Sequence, residues 1–168
     1  MNWFFLTVGY SGLSPKAPGT AGTLAALPLG VAILLYFGPQ TLFLATILIT
    51  IIAIKAIDKH ESIVHEHDDS RIVIDELVGM WFALSIAPGI GFDLSTLMRW
   101  NNGIALQIVL SFIFFRIYDI KKPSIIGRID REAKGGLGVM GDDIIAGFAA
   151  GISTAIVWQI ILQSGLID

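Results

Sequence analysis

The chain has 168 residues, 54% of them hydrophobic and 15% charged, with a net charge of −3 and a mean hydropathy of +0.74. Soluble domains carry about 25% charged residues, so a chain this apolar reads as an integral membrane protein, not as a soluble or nucleic-acid-binding one. Without cysteine it has no disulfide, thiolate zinc site or cysteine nucleophile.

The N-terminal MNWFFLTVGY lacks a basic segment and a small-residue cleavage site, so it is expected to belong to the fold and not to a secretory signal. Five apolar segments follow, at about 21–37, 41–57, 72–87, 104–117 and 144–162. Gly38-Pro39 between the first two predicts a helical hairpin instead of one long helix. The third and fourth fall short of the roughly 20 residues a full span needs, which suits tilted or partly inserted helices. The expectation is an all-α, compact multi-helix membrane protein with about five apolar helices, forming a single domain over 1–168.

Ten of the eleven Lys and Arg residues lie in or beside 1–22, 55–71 and 116–134. Five spans put those regions on one side, which the positive-inside rule makes cytoplasmic. Trp3, Trp100 and Trp158 fall near span ends, as interfacial aromatics do. The carboxylates concentrate on that same basic side.

Three distant regions meet there. In SGLSPKAPGTAGT, Lys16, Gly19, Thr20, Gly22 and Thr23 can bind an anion at a helix N-terminus, or can simply form a turn and cap. In RIVIDELVGMW, Asp75 and Glu76 lie within an apolar run and point about 100° apart on a helix. They can therefore address a metal and a basic partner, while Gly79 leaves room for close helix approach. In the stretch 116–147, Arg116, Asp119, Lys122, Asp130, Asp142 and Asp143 cluster. Asp119 follows Arg116 by three residues, which allows a local ion pair. Asp142 and Asp143 sit where the last helix is expected to begin, and two aspartates exceed what a cap requires. Carboxylate oxygens at this density suit Mg²⁺ bridging to a phosphate. His60, His65, His67, Asp68 and Asp69, in DKHESIVHEHDD, read as a solvated loop.

These residues also carry a resemblance. SPKAPGTAGT, IVIDELVGMW, FRIYDIKKPSIIGRID and GGLGVMGDDIIAG, in this order over nearly the whole chain, resemble the phosphatidylglycerophosphatase A family of bacterial enzymes. The resemblance implies a membrane-bound, all-helical, Mg²⁺-dependent hydrolase that converts phosphatidylglycerophosphate to phosphatidylglycerol and phosphate in phospholipid biosynthesis. Family members often carry aromatics where this chain has Tyr118, Lys121 and Ser124. The acidic positions are intact.

On that reading Asp75, Asp142 and Asp143 are the expected metal ligands. Glu76, Asp119 and Asp130 are the catalytic carboxylates, and Lys16, Gly19, Thr20, Arg116 and Lys122 hold the substrate. The partners are the lipid substrate and the bilayer, and the location is the bacterial cytoplasmic membrane, multi-pass, with the site facing the cytoplasm. No run resembles the signatures of other phosphatase classes. The alternative is a small transporter or ion-binding protein using Asp75-Glu76 as an intramembrane relay.

Overall fold

A computed structural model describes residues 3–64, 69–87, 103–123, 126 and 135–164. All regular structure among these residues is helical. In chain order there are α1 (Trp3–Leu6), a 3₁₀ turn (Ser11–Leu13), α2 (Pro18–Val64), α3 (Ile74–Ile86), α4 (Ile104–Lys121) and α5 (Gly135–Gln163).

Helix α2 starts at Pro18, where the missing N–H costs nothing and the ring presets φ. It is broken at Gly38, whose φ of 84° and ψ of 169° are open to glycine but strained for other residues. Contacts on either side show that the chain reverses there. The outgoing arm sets Gly22 against Val73 and Gly30 against Trp81 and Leu84. The returning arm stacks Phe43 edge-on to Phe82 at 5.5 Å and brings Ile54 to Gly136 at the start of α5. The hairpin expected from Gly38-Pro39 is therefore present, with both arms longer than the apolar runs alone indicate.

The two arms, α4 and α5 all pack on α3. Every residue of α3 from Glu76 to Ser85 is buried, including Met80, Trp81 and Leu84. Gly30 admits the Trp81 ring, and its Nε1 donates to the Ala26 carbonyl at 2.9 Å, so the buried indole is satisfied. The outer surface is apolar instead: Leu44, Leu48, Ile152, Ile156 and Ile160 are exposed. Helices α2 and α5 are long and apolar enough to cross a membrane. With 13 and 18 residues, α3 and α4 are shorter than about 20.

Two expectations need correction. The last helix begins at Gly135, not near Asp142, so Asp142 and Asp143 lie two turns inside it and cap nothing. The helix starts this early where Gly135 takes a positive φ of 68°, Gly136 packs on the Ile54 backbone, where a Cβ would collide, and Asp58 Oδ1 accepts the Gly136 N–H at 2.6 Å. The second correction concerns His60 and Asp69, which are buried, not solvated. His60 Nε2 lies 3.4 Å from Asp69 Oδ2, and Arg71 donates to both Asp69 oxygens at 2.9 and 2.7 Å. The Arg71 guanidinium sits 5.0 Å over the Trp3 ring, which meets His60 edge-on at 5.3 Å. This knot ties the N-terminal segment, the end of α2 and the approach to α3. His65, His67 and Asp68 lie outside the described residues.

Helices α3 and α5 approach each other closely, backbone to backbone. A Cβ on Gly147 would collide with the Gly79 backbone, and one on Gly79 would meet Phe115 and the Asp143 carbonyl. Backbone cannot yield as a side chain can. Gly147→Ala is therefore expected to destabilise the detergent-solubilised protein by about 1–3 kcal/mol in denaturant or thermal unfolding. Ile156→Ala, on the exposed face, is expected to change stability by less than about 0.5 kcal/mol.

Hydrogen bonds and charge from Arg71 hold the Asp69 carboxyl down at about 2. The unfolded value is near 3.9, so the stabilisation is complete above that pH and fades as pH falls through about 2. The stability gap between wild type and Asp69→Asn is expected to be constant above pH 5 and to narrow steadily on acidification. A gap that widens toward pH 3 would contradict this.

Candidate active site

The starts of α2, α3 and α5 and the end of α4 gather at one end of the bundle. Gly19 lies against Glu76, Lys122 Nζ reaches Asp142 Oδ2 at 2.8 Å, and Asp58 meets Gly136. The structure thus brings together the three regions that the sequence marks as chemical.

At the centre is Glu76, on the first turn of α3, 8% exposed. Its Oε2 accepts from Thr23 Oγ1 at 2.9 Å and from Arg116 Nη1 at 2.6 Å. Its Oε1 lies so close to Gly19 that a Cβ there would overlap it. Glycine at position 19 is thus a seat for a carboxylate. Arg116 projects from the last turns of α4. The same Nη1 reaches Asp119 Oδ2 at 2.7 Å and Thr23 at 3.2 Å, while Nη2 donates to Thr20 Oγ1 at 3.2 Å. The i, i+3 pair expected between Arg116 and Asp119 is present, within a larger network that also holds Glu76.

One carboxylate oxygen each from Glu76, Asp119 and Asp143 lie within 4.8 Å of one another. Asp143 is 3% exposed, and its Oδ1 has no hydrogen-bond partner among the described residues. A buried carboxylate oxygen without a donor is costly unless a cation or an ordered ligand meets it. Three hard oxygens converging from three helices, one of them unpartnered, fit a small divalent cation such as Mg²⁺.

The other expected residues fall around this group. Asp75 Oδ1 accepts the Glu76 N–H at 3.0 Å, and its side chain is within electrostatic reach of Glu76, Asp142 and Asp143. Asp142 forms the ion pair with Lys122, which follows α4 in a left-handed conformation (φ 41°) as its C-cap. Lys16 is exposed just before α2, outside the network of Glu76, Asp119 and Arg116 among the described residues. Asp130 lies outside the described residues. Glu76 and Asp119, read from sequence as catalytic, thus join Asp143 as the converging set, while Asp75 and Asp142 flank it.

Thr23, expected as part of an anion-binding turn, is fully buried and joins the network at its core as a partner of the Glu76 carboxylate. Its signal was its spacing: Gly19, Thr20 and Thr23 fall on one helical face, three and four residues apart. Asp58 was missed too, since its partner is a backbone amide 78 residues away.

Residues 4–158 match the family description phosphatidylglycerophosphatase A. Among curated proteins, phosphatidylglycerophosphatase A of Escherichia coli strain K12 is 37% identical over 153 residues, covering 89% of this chain and 80% of its own length. The enzyme of the same name from Haemophilus influenzae is 34% identical, with coverages of 86% and 82%. A Bacteroides thetaiotaomicron protein, provisionally named phosphatidylinositol-3-phosphatase, is 38% identical, with coverages of 87% and 86%. No solved structure matches. With its family match spanning all the helices that build the carboxylate cluster, this chain belongs to the phosphatidylglycerophosphatase A family.

Proposed function

We propose that the protein hydrolyses the terminal phosphomonoester of phosphatidylglycerophosphate, releasing phosphate and phosphatidylglycerol, in a Mg²⁺-dependent reaction at the cytoplasmic face of a bacterial membrane. The observation that carries this reading is the convergence of Glu76, Asp119 and Asp143 beside a buried arginine. The family membership supplies the substrate class.

Mg²⁺, held by Glu76, Asp119 and Asp143, would supply charge neutralisation and Lewis acidity toward a phosphoryl oxygen. The chain's own residues do the rest. Arg116 and Thr20, on facing helices, present donors to the phosphate oxygens as charge shifts toward the leaving glycerol oxygen. Asp75, with Oδ1 engaged by the Glu76 amide, offers its other oxygen to take a proton from the attacking water. Lys122 keeps Asp142 neutralised at the rim, so that the acidic cluster does not repel an anionic lipid.

The orientation follows from charge. The ends that carry Lys16, Lys55, Lys59, Arg71, Lys121 and Lys122 lie toward the site, which supports a cytoplasmic orientation by the positive-inside rule. The exposed apolar surfaces of α2 and α5 supply the bilayer contact.

The test is phosphate release from phosphatidylglycerophosphate in mixed micelles, with Mg²⁺ or EDTA. Release is expected with Mg²⁺ only, and to fall at least about 100-fold in Asp143→Asn, a loss of roughly 2.7 kcal/mol in transition-state stabilisation. Because Asp143 Oδ1 is buried without a partner, the same variant is expected to unfold no more readily than wild type in EDTA. Full activity in Asp143→Asn would remove it from the site.

Substrate choice is checked by giving the wild-type protein phosphatidylglycerophosphate, phosphatidylinositol 3-phosphate and phosphatidic acid separately. The first is expected to have the highest kcat/KM by at least tenfold. Preference for the inositol lipid would move the assignment to the activity named for the Bacteroides relative.

A further inference from the structure

Arg116 does more in this network than a phosphate-binding cation needs. Its Nη1 bonds to Glu76 Oε2 at 2.6 Å and to Asp119 Oδ2 at 2.7 Å, so one nitrogen bridges two of the three carboxylates that converge. Glu76 Oε2 thus holds Arg116 Nη1 at 2.6 Å and has Thr23 Oγ1 at 2.9 Å, whose one proton is shared between this oxygen and the Gly19 carbonyl. Glu76 Oε1 is packed against Gly19. A cation binding this glutamate at Oε2 therefore meets Arg116 Nη1, 2.6 Å from that oxygen, as its rival.

We propose that Arg116 is the internal counter-ion of the carboxylate cluster and competes with the divalent cation for Glu76 and Asp119. When the cation takes those oxygens, Arg116 gives them up and turns its guanidinium to the lipid phosphate. Loading of the cation and capture of the anion are thereby coupled through one side chain. The inference rests on the proposed function for the identity of the anion, but not for the competition itself.

Three features support the exchange. Nη2 already reaches Thr20 at 3.2 Å, on the first turn of α2, so a short movement keeps one anchor while Nη1 leaves. Nε is buried and without a partner among the described residues, so the guanidinium is not fully satisfied where it rests. Removing a buried cation from between carboxylates is costly unless another cation replaces it. A divalent ion supplies that replacement and, by reciprocity, whatever draws Arg116 away favours the ion.

The experiment is calorimetric titration of Mg²⁺ alone into the full-length protein in detergent, without lipid phosphate. Wild type, Arg116→Gln, Arg116→Lys and Asp143→Asn are compared. Arg116→Gln is expected to bind Mg²⁺ at least tenfold more tightly than wild type while phosphate release falls at least 100-fold. Arg116→Lys keeps a positive charge, which protects the fold, but has no fork to bridge both acids. It is expected to bind Mg²⁺ more tightly than wild type by a smaller factor, and Asp143→Asn more weakly. Equal or weaker Mg²⁺ binding in both arginine variants, or none in any protein, overturns the proposal. Tighter binding in the arginine variants, with no phosphate release from any lipid by wild type, sustains the competition and sinks the substrate assignment.

Discussion

The buried ion pair between Glu76 and Arg116 is the constraint on which the rest of the site depends. It joins α3 to α4, and through Thr20 and Thr23 it fixes the first turns of α2 against both. A buried salt bridge contributes little net stability, because desolvating both charges offsets most of their attraction, but losing one partner is severe. Its value here is register. Thr23 can donate to Oε2 only if α2 approaches with Gly19 beneath the carboxylate, and Arg116 can bridge Glu76 and Asp119 only if α4 ends at the same depth.

Close backbone approach makes this possible. Carboxylates repel, and helices carrying bulky side chains at the crossing would stand too far apart for the acids to converge. Gly79 lies one turn after Asp75, against Phe115 and the Asp143 carbonyl, and Gly147 lies against Gly79 itself. The small residues on α3 and α5 therefore set the distance between Glu76 and Asp143. The packing of the apolar core and the geometry of the polar site are one property, fixed by the same two glycines.

Much of this was legible in the residues. The hairpin break at Gly38-Pro39, the role of Gly79 in close approach and the Arg116–Asp119 pair all follow from local rules about backbone freedom, side-chain size and helical spacing. What was not legible depends on long-range partners. The last helix is expected from its residues to begin near Asp142, yet it starts at Gly135, where Asp58 and the Ile54 backbone receive Gly136. His60 and Asp69 read as solvated because their segment is charged, yet Trp3 and Arg71 bury them. The sharing of roles among the acids was also hidden. Adjacent Asp75 and Glu76 are equivalent in sequence, and only the approach of α2 and α4 decides that Glu76 faces the arginine.

The charge balance of the cluster explains why arginine stands at position 116. Among the described residues, five carboxylates, Asp75, Glu76, Asp119, Asp142 and Asp143, share the region with Arg116 and Lys122. Lys122 pairs with Asp142, while Arg116 bridges two of the three converging acids, Glu76 and Asp119. A lysine ammonium is a compact, strongly hydrated point charge, whereas a guanidinium spreads its charge over a planar fork and is more weakly hydrated. Only the fork can hold Glu76 and Asp119 with Nη1 while Nη2 remains on Thr20. The apolar surroundings sharpen this demand, since water cannot screen the acids from one another. An acidic site built among apolar helices thus carries its own neutralising cation on a neighbouring helix, anchored where a second ligand can reach it.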